Sequence, residues 1–468
     1  MWQKAADWAE SEFRGVPGLE KRLQDRLVST AQALAERPEG TLPKRFEWAE
    51  LKVAYRLIDA ASARPDAVQA VHRERTRERV AARRGKPVLF VHDTTQLDFS
   101  SHSAVAEQLG PIGDGAEAAR GFLQHNGLAV DPSGSALLGL IHQETFVRTP
   151  KPEGEARSGR SARTERESEI WIRGIEAVGR PAAGDFWVHV GDRGADFYGA
   201  MAAAVDCGAH FLFRLCQDRR AEDADGELTR LMQAARRVDA VGSAEVEVAS
   251  RGGRPARTAR VKLGAVRLSI RPPHAEARWR GRPPLKVTVV RIWEPDPPAG
   301  AEGLEWVLGT DLEGGTESDL QTYRGWYEWR WPTMEEYHKA QKTGCRIEDL
   351  RFETKDRLLA AIALVGVVAA RVLALRWLRD AIPDAPVEAV ANAEEIEAIG
   401  GAAKKPPKTV KEFVDAVAKL GGYLGRKCDG PPGWQSLWRG YQRLADIVLG
   451  LEIARSRDPA VKRDVGNR

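Results

Sequence analysis

The sequence predicts an α/β fold, because segments with helical and with strand periodicity follow one another along its 468 residues. Two observations lead to this prediction. The first 80 residues repeat apolar positions at helical spacing, and from residue 87 onward short apolar runs end on acids and are separated by helical stretches. With 43% hydrophobic and 29% charged residues, the chain has the composition of a soluble globular protein of roughly two to four domains.

The first 80 residues are predicted to form a helical module. Leu23, Leu27, Ala31 and Leu34 illustrate the helical spacing of its apolar positions. Basic side chains, Arg26 and Arg56 among them, are distributed over the module. The expected helices are Lys4–Phe13, Leu19–Glu36, Trp48–Asp59 and Pro65–Arg84.

The period then changes to that of buried strands. The expected strands are Pro87–Asp93, Phe122–Val130, Ala136–Phe146, Asp185–Asp192 and His210–Arg214, with helices at about Arg163–Val178 and up to Asp206. Three strands, a helix, a strand, a helix and a strand is the order of an RNase H-like core. The first and fourth strands lie side by side in that fold, so we expect Asp93 and Asp192 to be near neighbours.

Residues 215 to about 318 interrupt this order, and their alternating segments predict a mostly β insertion. A long helix is expected from about Asp356 to Arg379, followed by a linker rich in Pro and Gly and by a helical region at Thr409–Arg455. The predicted domains are therefore a module at 1–80, an α/β domain at 81–379 and a linker with a helical region at 380–468.

Charge is concentrated in two basic clusters although the net charge is only +4. The window Arg251–Arg291 holds twelve Lys or Arg against the single acid Glu276, and seven more lie within Arg73–Lys86. Such clusters suit a polyanion such as DNA, and the alternative for each is an ordinary solvated surface.

The spacing of the cysteines and the hydropathy of the chain indicate where in the cell the protein is expected. The four cysteines lack zinc-ligand spacing and are interpreted as reduced cytosolic thiols. The most apolar run, Leu358–Ala370, is too short to span a membrane and is predicted to be a buried helix. We therefore expect a cytoplasmic protein with no membrane partner.

The segment Tyr327–Gly344 combines aromatic rings, cations and acids. Glu335, His338 and Lys342 stand at i, i+3 and i+7, so they share one helical face. Together with Asp93 and Asp192, Glu335 would supply the oxygen ligands that two Mg²⁺ or Mn²⁺ ions need for phosphoryl transfer. One such acid alone is more often an N-cap or a surface residue, whereas three in this order favour a metal site.

Several motifs in order carry a family resemblance. They include Ala5–Ala9, Val53–Arg56, His92–Thr95, Leu140–Glu144, Asp192–Asp196, Glu335–Gly344 and Leu420–Leu424, with the following Trp434 and Trp438. On these residues the chain resembles the DDE cut-and-paste DNA transposases of the bacterial IS-four family, the Tn-five type among them, nearly from end to end.

The resemblance implies a catalytic and metal-binding triad of Asp93, Asp192 and Glu335, which would hold two Mg²⁺ ions and accept Mn²⁺ instead. The family signature Tyr-x2-Arg-x3-Glu-x6-Lys matches Tyr327, Arg330, Glu335 and Lys342, which grip DNA phosphates in the family. One departure stands out, because four residues separate Arg330 from Glu335 where the family has three. We expect the extra residue to bulge the lead-in to the helix.

Other positions carry DNA contacts by the same resemblance. Trp306 matches a tryptophan that stacks on a flipped base, and Arg214 matches an arginine that contacts DNA near the active site. Arg193, His338, Arg26 and Arg56 complete the predicted DNA-binding residues. The sequence departs from the family at Gly194, where an acid is usual, and at Leu215–Gln217, which lacks a lysine.

The implied activity is transposition through a nick, a hairpin and strand transfer to target DNA. Its partners would be double-stranded DNA, as transposon-end inverted repeats and as target, and a second copy of the chain in a synaptic complex. The helical region with Trp434, Trp438 and Tyr441 would mediate dimerisation, or else these rings form an internal core. The protein would be a bacterial cytoplasmic one, associated with the nucleoid when on DNA.

Two alternatives remain open from the sequence. The first is a catalytically silent DNA-binding relative, either a domesticated protein or a transposition inhibitor. The second is a general RNase H-like nuclease, which leaves Trp306 and the Tyr327–Lys342 features without a role.

Overall fold

A computed structural model describes residues 5–36, 42–62, 64–113, 119–148, 167–248, 256–274, 276–403, 405–426 and 430–457. Some predicted features fall outside these residues. They are Lys4, the start of the helix expected from Arg163, the turn after Glu36, the basic residues Arg251 and Arg254, and the linker residue Lys404.

The N-terminal region folds into helices as its periodicity predicts. The helices are α1 Ala5–Phe13, α2 Lys21–Glu36, α3 Leu42–Arg45, α4 Trp48–Ala61 and α5 Ala70–Ala81, with a 3₁₀ turn at Pro65–Gln69. The apolar stripe of α2 is buried at Leu27, Ala31 and Leu34 in the same core as Trp8. A capping box between Glu47 and Glu50 begins α4.

Within the described residues, a single sheet of twelve strands runs through the middle of the chain. Its strands are β1 Pro87–Asp98, β2 Gly110–Ile112, β3 Ala119–Asp131, β4 Ala136–Phe146, β5 Phe186–Gly191, β6 His210–Arg214, β7 Arg220–Glu222, β8 Leu228–Arg230, β9 Gly242–Val248, β10 Arg257–Ile270, β11 Leu285–Trp293 and β12 Glu305–Thr310. The helices among them are α6 Ser103–Ala106, α7 Glu169–Val178, α8 Tyr198–Asp206 and α9 Leu231–Arg236.

The first half of the sheet has the strand order β4-β3-β1-β5-β6. Strand β3 runs antiparallel to β1 and β4, whereas β5 runs parallel to β1 and to β6. Strand β1 is therefore central, and its buried run Val88–His92 has neighbours on both sides. The predicted adjacency of these two strands is confirmed, because β1 pairs with β5. The expected end of the first strand at Asp93 is wrong, because β1 continues to Asp98 in its pairing with β3.

The second half of the sheet comes from residues 215–310. Strand β12 returns to pair antiparallel with β6, and β11 and β10 continue outward from it. The predominantly β character expected of this segment is found, and the segment extends the core sheet rather than forming a separate one.

Helix α12, Lys355–Ala381, runs through the core of the chain. By length and composition it is the one helix among the described residues that could cross a membrane, but 94% of its most apolar window is buried inside the protein. Its partners include β4 and the N-terminal helices. The prediction of a buried helix in this region therefore agrees with the structure.

The C-terminal region contains α13 Ala393–Ala403, α14 Val410–Leu420 and α15 Trp434–Arg457. Helix α13 corrects the sequence interpretation, which assigned these residues to a linker. Trp434, Trp438 and Tyr441 are all buried within the chain, and the two indoles stack with centroids 5.6 Å apart. These rings are thus part of an internal helical core, which was the alternative interpretation of them.

The predicted basic clusters are largely paired with acids of the same chain. In the window Arg251–Arg291, ion pairs to acids are formed by Arg257, Arg260, Arg267, Arg271, Arg278, Arg282 and Arg291. In the earlier cluster, Arg75, Arg77, Arg79 and Arg83 are paired in the same way. Much of this charge stabilises the fold, so the clusters are weaker indicators of DNA contact than the sequence suggested.

Candidate functional site

Asp93 follows the buried run of β1. Its neighbour His92 lies opposite Gly191 of β5, so Asp93 within β1 and Asp192 directly after β5 stand at the same level of adjacent parallel strands. The Asp93 carboxylate accepts a hydrogen bond from the Thr94 backbone N–H at 2.8 Å. Its side chain is 14% exposed.

Asp192 is fixed by the turn that follows β5. Its carboxylate accepts a hydrogen bond from the Gly194 backbone N–H at 2.7 Å and so caps the 3₁₀ turn Arg193–Ala195. A Cβ atom on Gly194 would lie 2.7 Å from the Trp171 indole and 3.0 Å from the Asp192 carboxylate. The indole of Trp171 thus occupies the space that an acidic side chain at position 194 would need.

Glu335 lies on a long helical segment, 317–344, which we call the site helix. It consists of α10 Glu317–Glu328, a π-helical turn Trp331–Glu335, α11 Glu336–Lys339 and a second π-helical turn Ala340–Gly344. The bulge expected from the extra residue is thus present, and it takes the form of the first π-helical turn. Single π turns accommodate one more residue without ending a helix, and they occur frequently at functional sites.

The π turn determines which side chains meet. In a regular α-helix, five positions place two side chains about 140° apart. Arg330 and Glu335 are five positions apart, yet the Arg330 guanidinium lies 3.5 Å from the Glu335 carboxylate. The same guanidinium donates to Asp93 at 2.8 Å. Arg330 therefore bridges the first and third acids of the predicted triad.

The electrostatics of the site are those of crowded acids. Burial and the nearby Asp192 carboxylate raise the pKa of Asp93 to about 7, against the opposing effect of Arg330. Glu335 adds to the same repulsion. Within the part of the chain that the structure describes, no group of three or more His, Cys, Asp or Glu residues is already arranged to hold a metal ion.

Tyr327 lies close to these acids, whereas Lys342 contacts a different carboxylate. Tyr327 is fully buried, and its hydroxyl lies beside Arg330 without forming a hydrogen bond of regular geometry. Charged groups of Arg330, Arg214 and Asp192 lie near it, and burial raises its pKa. Lys342 lies toward the other end of the site helix, 3.5 Å from the Glu348 carboxylate.

His338 faces the sheet rather than solvent. Its Nε2 lies 3.2 Å from the Asn126 amide nitrogen. Burial, together with the positive charges of Lys342 and Arg330, lowers the pKa of His338 to about 3. The imidazole is therefore neutral near pH 7 and contributes no positive charge toward a phosphate.

Trp306 lies in an aromatic cluster beside the site. Its indole is half-buried, with centroids 5.4 Å from Trp331 and 6.1 Å from Tyr327. Arg214, half-buried at the end of β6, pairs with Leu308 two positions further along the strand of Trp306. These residues place a ring and a cation beside the acids.

The remaining residues predicted to contact DNA lie outside the group of acids on β1, after β5 and on the site helix. Arg193 is exposed in the turn directly after Asp192. Arg26 is half-buried on α2 and Arg56 is exposed on α4, so both belong to the N-terminal helices and not to the acid cluster.

A buried network of polar side chains supports the site helix, and the sequence interpretation did not identify it. The Tyr337 hydroxyl donates to the Gly366 carbonyl of α12 at 3.0 Å and accepts from Gln143 at 3.2 Å. Gln143 also donates to Asn126 at 2.9 Å and accepts from Gln69 at 2.8 Å. Polar residues at strand positions expected to be buried, such as Asn126 and Gln143, were the available signal.

Behind the acids lie four buried histidines: His92, His125, His142 and His189. His92 and His189 are joined by a hydrogen bond of 2.9 Å, and the rings of His92 and His125 stack with centroids 5.5 Å apart. Burial lowers the pKa of His142 to about 3 and those of His125 and His189 well below their ordinary values. They are neutral packing groups near pH 7.

Two family models match the ends of the chain. The model described as transposase DNA-binding matches residues 5–63, which contain α1 to α4. The model described as transposase Tn5 dimerisation domain matches residues 367–460, from the second half of α12 through α15.

The fold and these matches define a class of protein first. The chain has a mixed α/β region with a central sheet, and this region lies between a DNA-binding domain and a dimerisation domain. This combination of domains indicates a DNA-processing enzyme that works as a homodimer. Both models describe transposase domains, and together they support a Tn5-like transposase.

Proposed function

We propose that this protein is an active cut-and-paste transposase of the IS-four family with an RNase H-like core and a DDE site. The observation that carries the proposal is the position of Asp93 within β1, beside Asp192 directly after the parallel strand β5, with Glu335 joined to Asp93 through Arg330. The order β4-β3-β1-β5-β6, with β3 antiparallel, supports the assignment of the core.

The donor set fits a pair of magnesium ions chemically. Carboxylate oxygens are the ligands that Mg²⁺ and Mn²⁺ prefer. Burial first, and then the neighbouring Asp192 carboxylate, raise the pKa of Asp93, so a cation beside it would stabilise its ionised form. Asp93, Asp192 and Glu335 would be the ligands. When bound, the two ions would activate a water or a 3′-hydroxyl and stabilise the leaving oxygen.

The chain's own residues would position the DNA. A water oxygen attacks the phosphorus at the transposon end and breaks the P–O3′ bond. The freed 3′-hydroxyl then attacks a phosphorus of the opposite strand, which forms a hairpin and releases the flanking DNA with a 3′-hydroxyl. A second water opens the hairpin before the 3′ ends join target DNA. Tyr327, Arg330 and Lys342 would hold phosphates during these steps, and Trp306 would stack on a flipped base.

The second copy of the chain would complete a synaptic complex, with each DNA end bound by one subunit and cut by the other. The DNA-binding helices and the acid cluster belong to different parts of the chain, which is compatible with such a division of work. The substrates would be inverted repeats at the transposon ends, and then target DNA.

The test compares binding with cleavage on duplexes that carry the DNA flanking the coding region. Wild type is expected to nick these duplexes with Mg²⁺ present, whereas Asp192→Ala is expected to bind them and leave them intact. Retained cleavage by Asp192→Ala would refute the site. Wild type that binds with Mg²⁺ present but never nicks would favour a silent DNA-binding relative, which the Arg330–Asp93 ion pair also suits.

A further inference from the structure

The Arg330 guanidinium contacts two of the three acids. It lies 2.8 Å from the Asp93 carboxylate and 3.5 Å from the Glu335 carboxylate, and the Arg330 side chain is only 12% exposed. It also lies over the Trp331 ring at 5.2 Å. The positive charge among these acids therefore comes from the chain itself.

This arrangement leaves one polar group of Arg330 unpartnered. The Arg330 Nε–H is buried and has no acceptor, and the buried Tyr327 hydroxyl, beside which Arg330 lies, forms no hydrogen bond of regular geometry. Buried polar groups in folded proteins are usually paired, and an incoming ligand would supply the acceptor that the Arg330 Nε–H lacks. An oxyanion such as a DNA phosphate would be such an acceptor.

We propose that Arg330 is an internal counter-ion that competes with divalent metal for Asp93 and Glu335 until a DNA phosphate draws its guanidinium away. This inference rests on the proposed metal site and adds a regulation to it. Metal and DNA then bind cooperatively, because the phosphate takes over the cation and leaves the carboxylates to the metal. The chain would thereby remain poorly loaded with metal while it is free of DNA.

The π-helical turn is what makes this competition possible. It brings Arg330 and Glu335 to one side of the site helix despite their five-position separation. Because Glu335 is 44% exposed, it can turn toward a ligand without unfolding the helix. The extra residue between Arg330 and Glu335 is therefore part of the arrangement that lets Arg330 compete with a metal ion.

The experiment measures Mn²⁺ binding to the full chain without DNA. The readout is the electron paramagnetic resonance signal of free Mn²⁺, which decreases as the ion binds. Arg330→Gln is expected to bind Mn²⁺ at least about tenfold more tightly than wild type, because a competing unit charge is removed. Arg330→Lys, which keeps a charge, should remain close to wild type. Arg324→Gln is the matched control, since Arg324 pairs with Glu328 one turn and a half earlier on the site helix.

The second part of the experiment repeats the Mn²⁺ binding measurement with mixed-sequence duplex DNA present. The DNA is expected to tighten Mn²⁺ binding to wild type and to change Arg330→Gln much less. Equal or weaker Mn²⁺ binding by Arg330→Gln without DNA would overturn the inference, provided that Asp93→Asn still abolishes the binding. If Asp93→Asn leaves Mn²⁺ binding unchanged in every background, the proposed metal site itself fails, and this inference with it.

Discussion

The substitution Gly194→Ala tests how tightly Asp192 is held. The new Cβ would lie 2.7 Å from Trp171 Cζ2, closer than real Cβ contacts allow, and 3.0 Å from Asp192 Oδ1, which is tighter than most of them. Trp171 is 5% exposed and packs on His125 with centroids 4.7 Å apart, so it has little freedom to retreat. Overpacking of this kind costs about 1–3 kcal/mol of unfolding free energy, and the shift of Asp192 should lower Mg²⁺-dependent cleavage as well.

The assay is thermal unfolding of the full chain, with cleavage of flanking DNA measured alongside. Trp171→Leu in the same chain should relieve the clash and recover part of both losses. Gly325→Ala is the control, because no atom lies within 4 Å of its Cβ position in α10 and the change should stabilise by about 0.5–1 kcal/mol. The reasoning is refuted if Gly194→Ala is as stable as wild type.

Two further predictions concern the surroundings of the site. The pKa of His142 is about 3 when folded and about 6.5 when unfolded, so the unfolded chain binds more protons between these values and stability falls as the pH drops from about 6.5 toward 3. His142→Gln should reduce the proton uptake on unfolding at pH 5 by about one, measured from the pH dependence of unfolding, and an unchanged slope would contradict this. Tyr337→Phe should cost about 1–3 kcal/mol in the same unfolding assay, because Gly366 and Gln143 lose a buried partner, and a neutral effect would show that the network does not stabilise the site helix.

The sequence predicted the elements whose pattern is local. Apolar runs that end on Asp93 and Asp192 mark buried strands, and their order along the chain was enough to place the two strands side by side. The extra residue before Glu335 could be counted, so a bulge could be expected. Its π-helical form, and the contact of Arg330 with both acids, depend on packing that a one-dimensional pattern does not contain.

The prediction of a linker after the long helix was wrong for a different reason. Gly400, Gly401 and the neighbouring prolines suggested an irregular segment, but Ala393–Ala403 is a helix. Asn392 and Glu395 exchange hydrogen bonds as a capping box, at 2.7 and 2.9 Å. That signature was visible in the sequence and outweighs glycines that stand only near the helix end.

The basic clusters show what composition cannot resolve. Arg278 pairs with Glu169, and Arg282 pairs with Asp206, across long separations in sequence. Counting charges within one window cannot detect partners that arrive from elsewhere in the fold. The same holds for Trp171, which explains Gly194 only once α7 is packed on the sheet.

The most direct test of the DDE assignment is a pair of neighbouring substitutions, Glu335→Gln and Glu336→Gln. Glu335 contacts Arg330 beside Asp93, whereas Glu336 pairs with Lys339 at 3.3 Å on the same helix. Both remove one negative charge from adjacent positions of one segment, so the net charge of the two variants is matched. With Mg²⁺ and flanking DNA, Glu335→Gln should lose cleavage while Glu336→Gln retains it; equal activity of the two variants would contradict the proposed site.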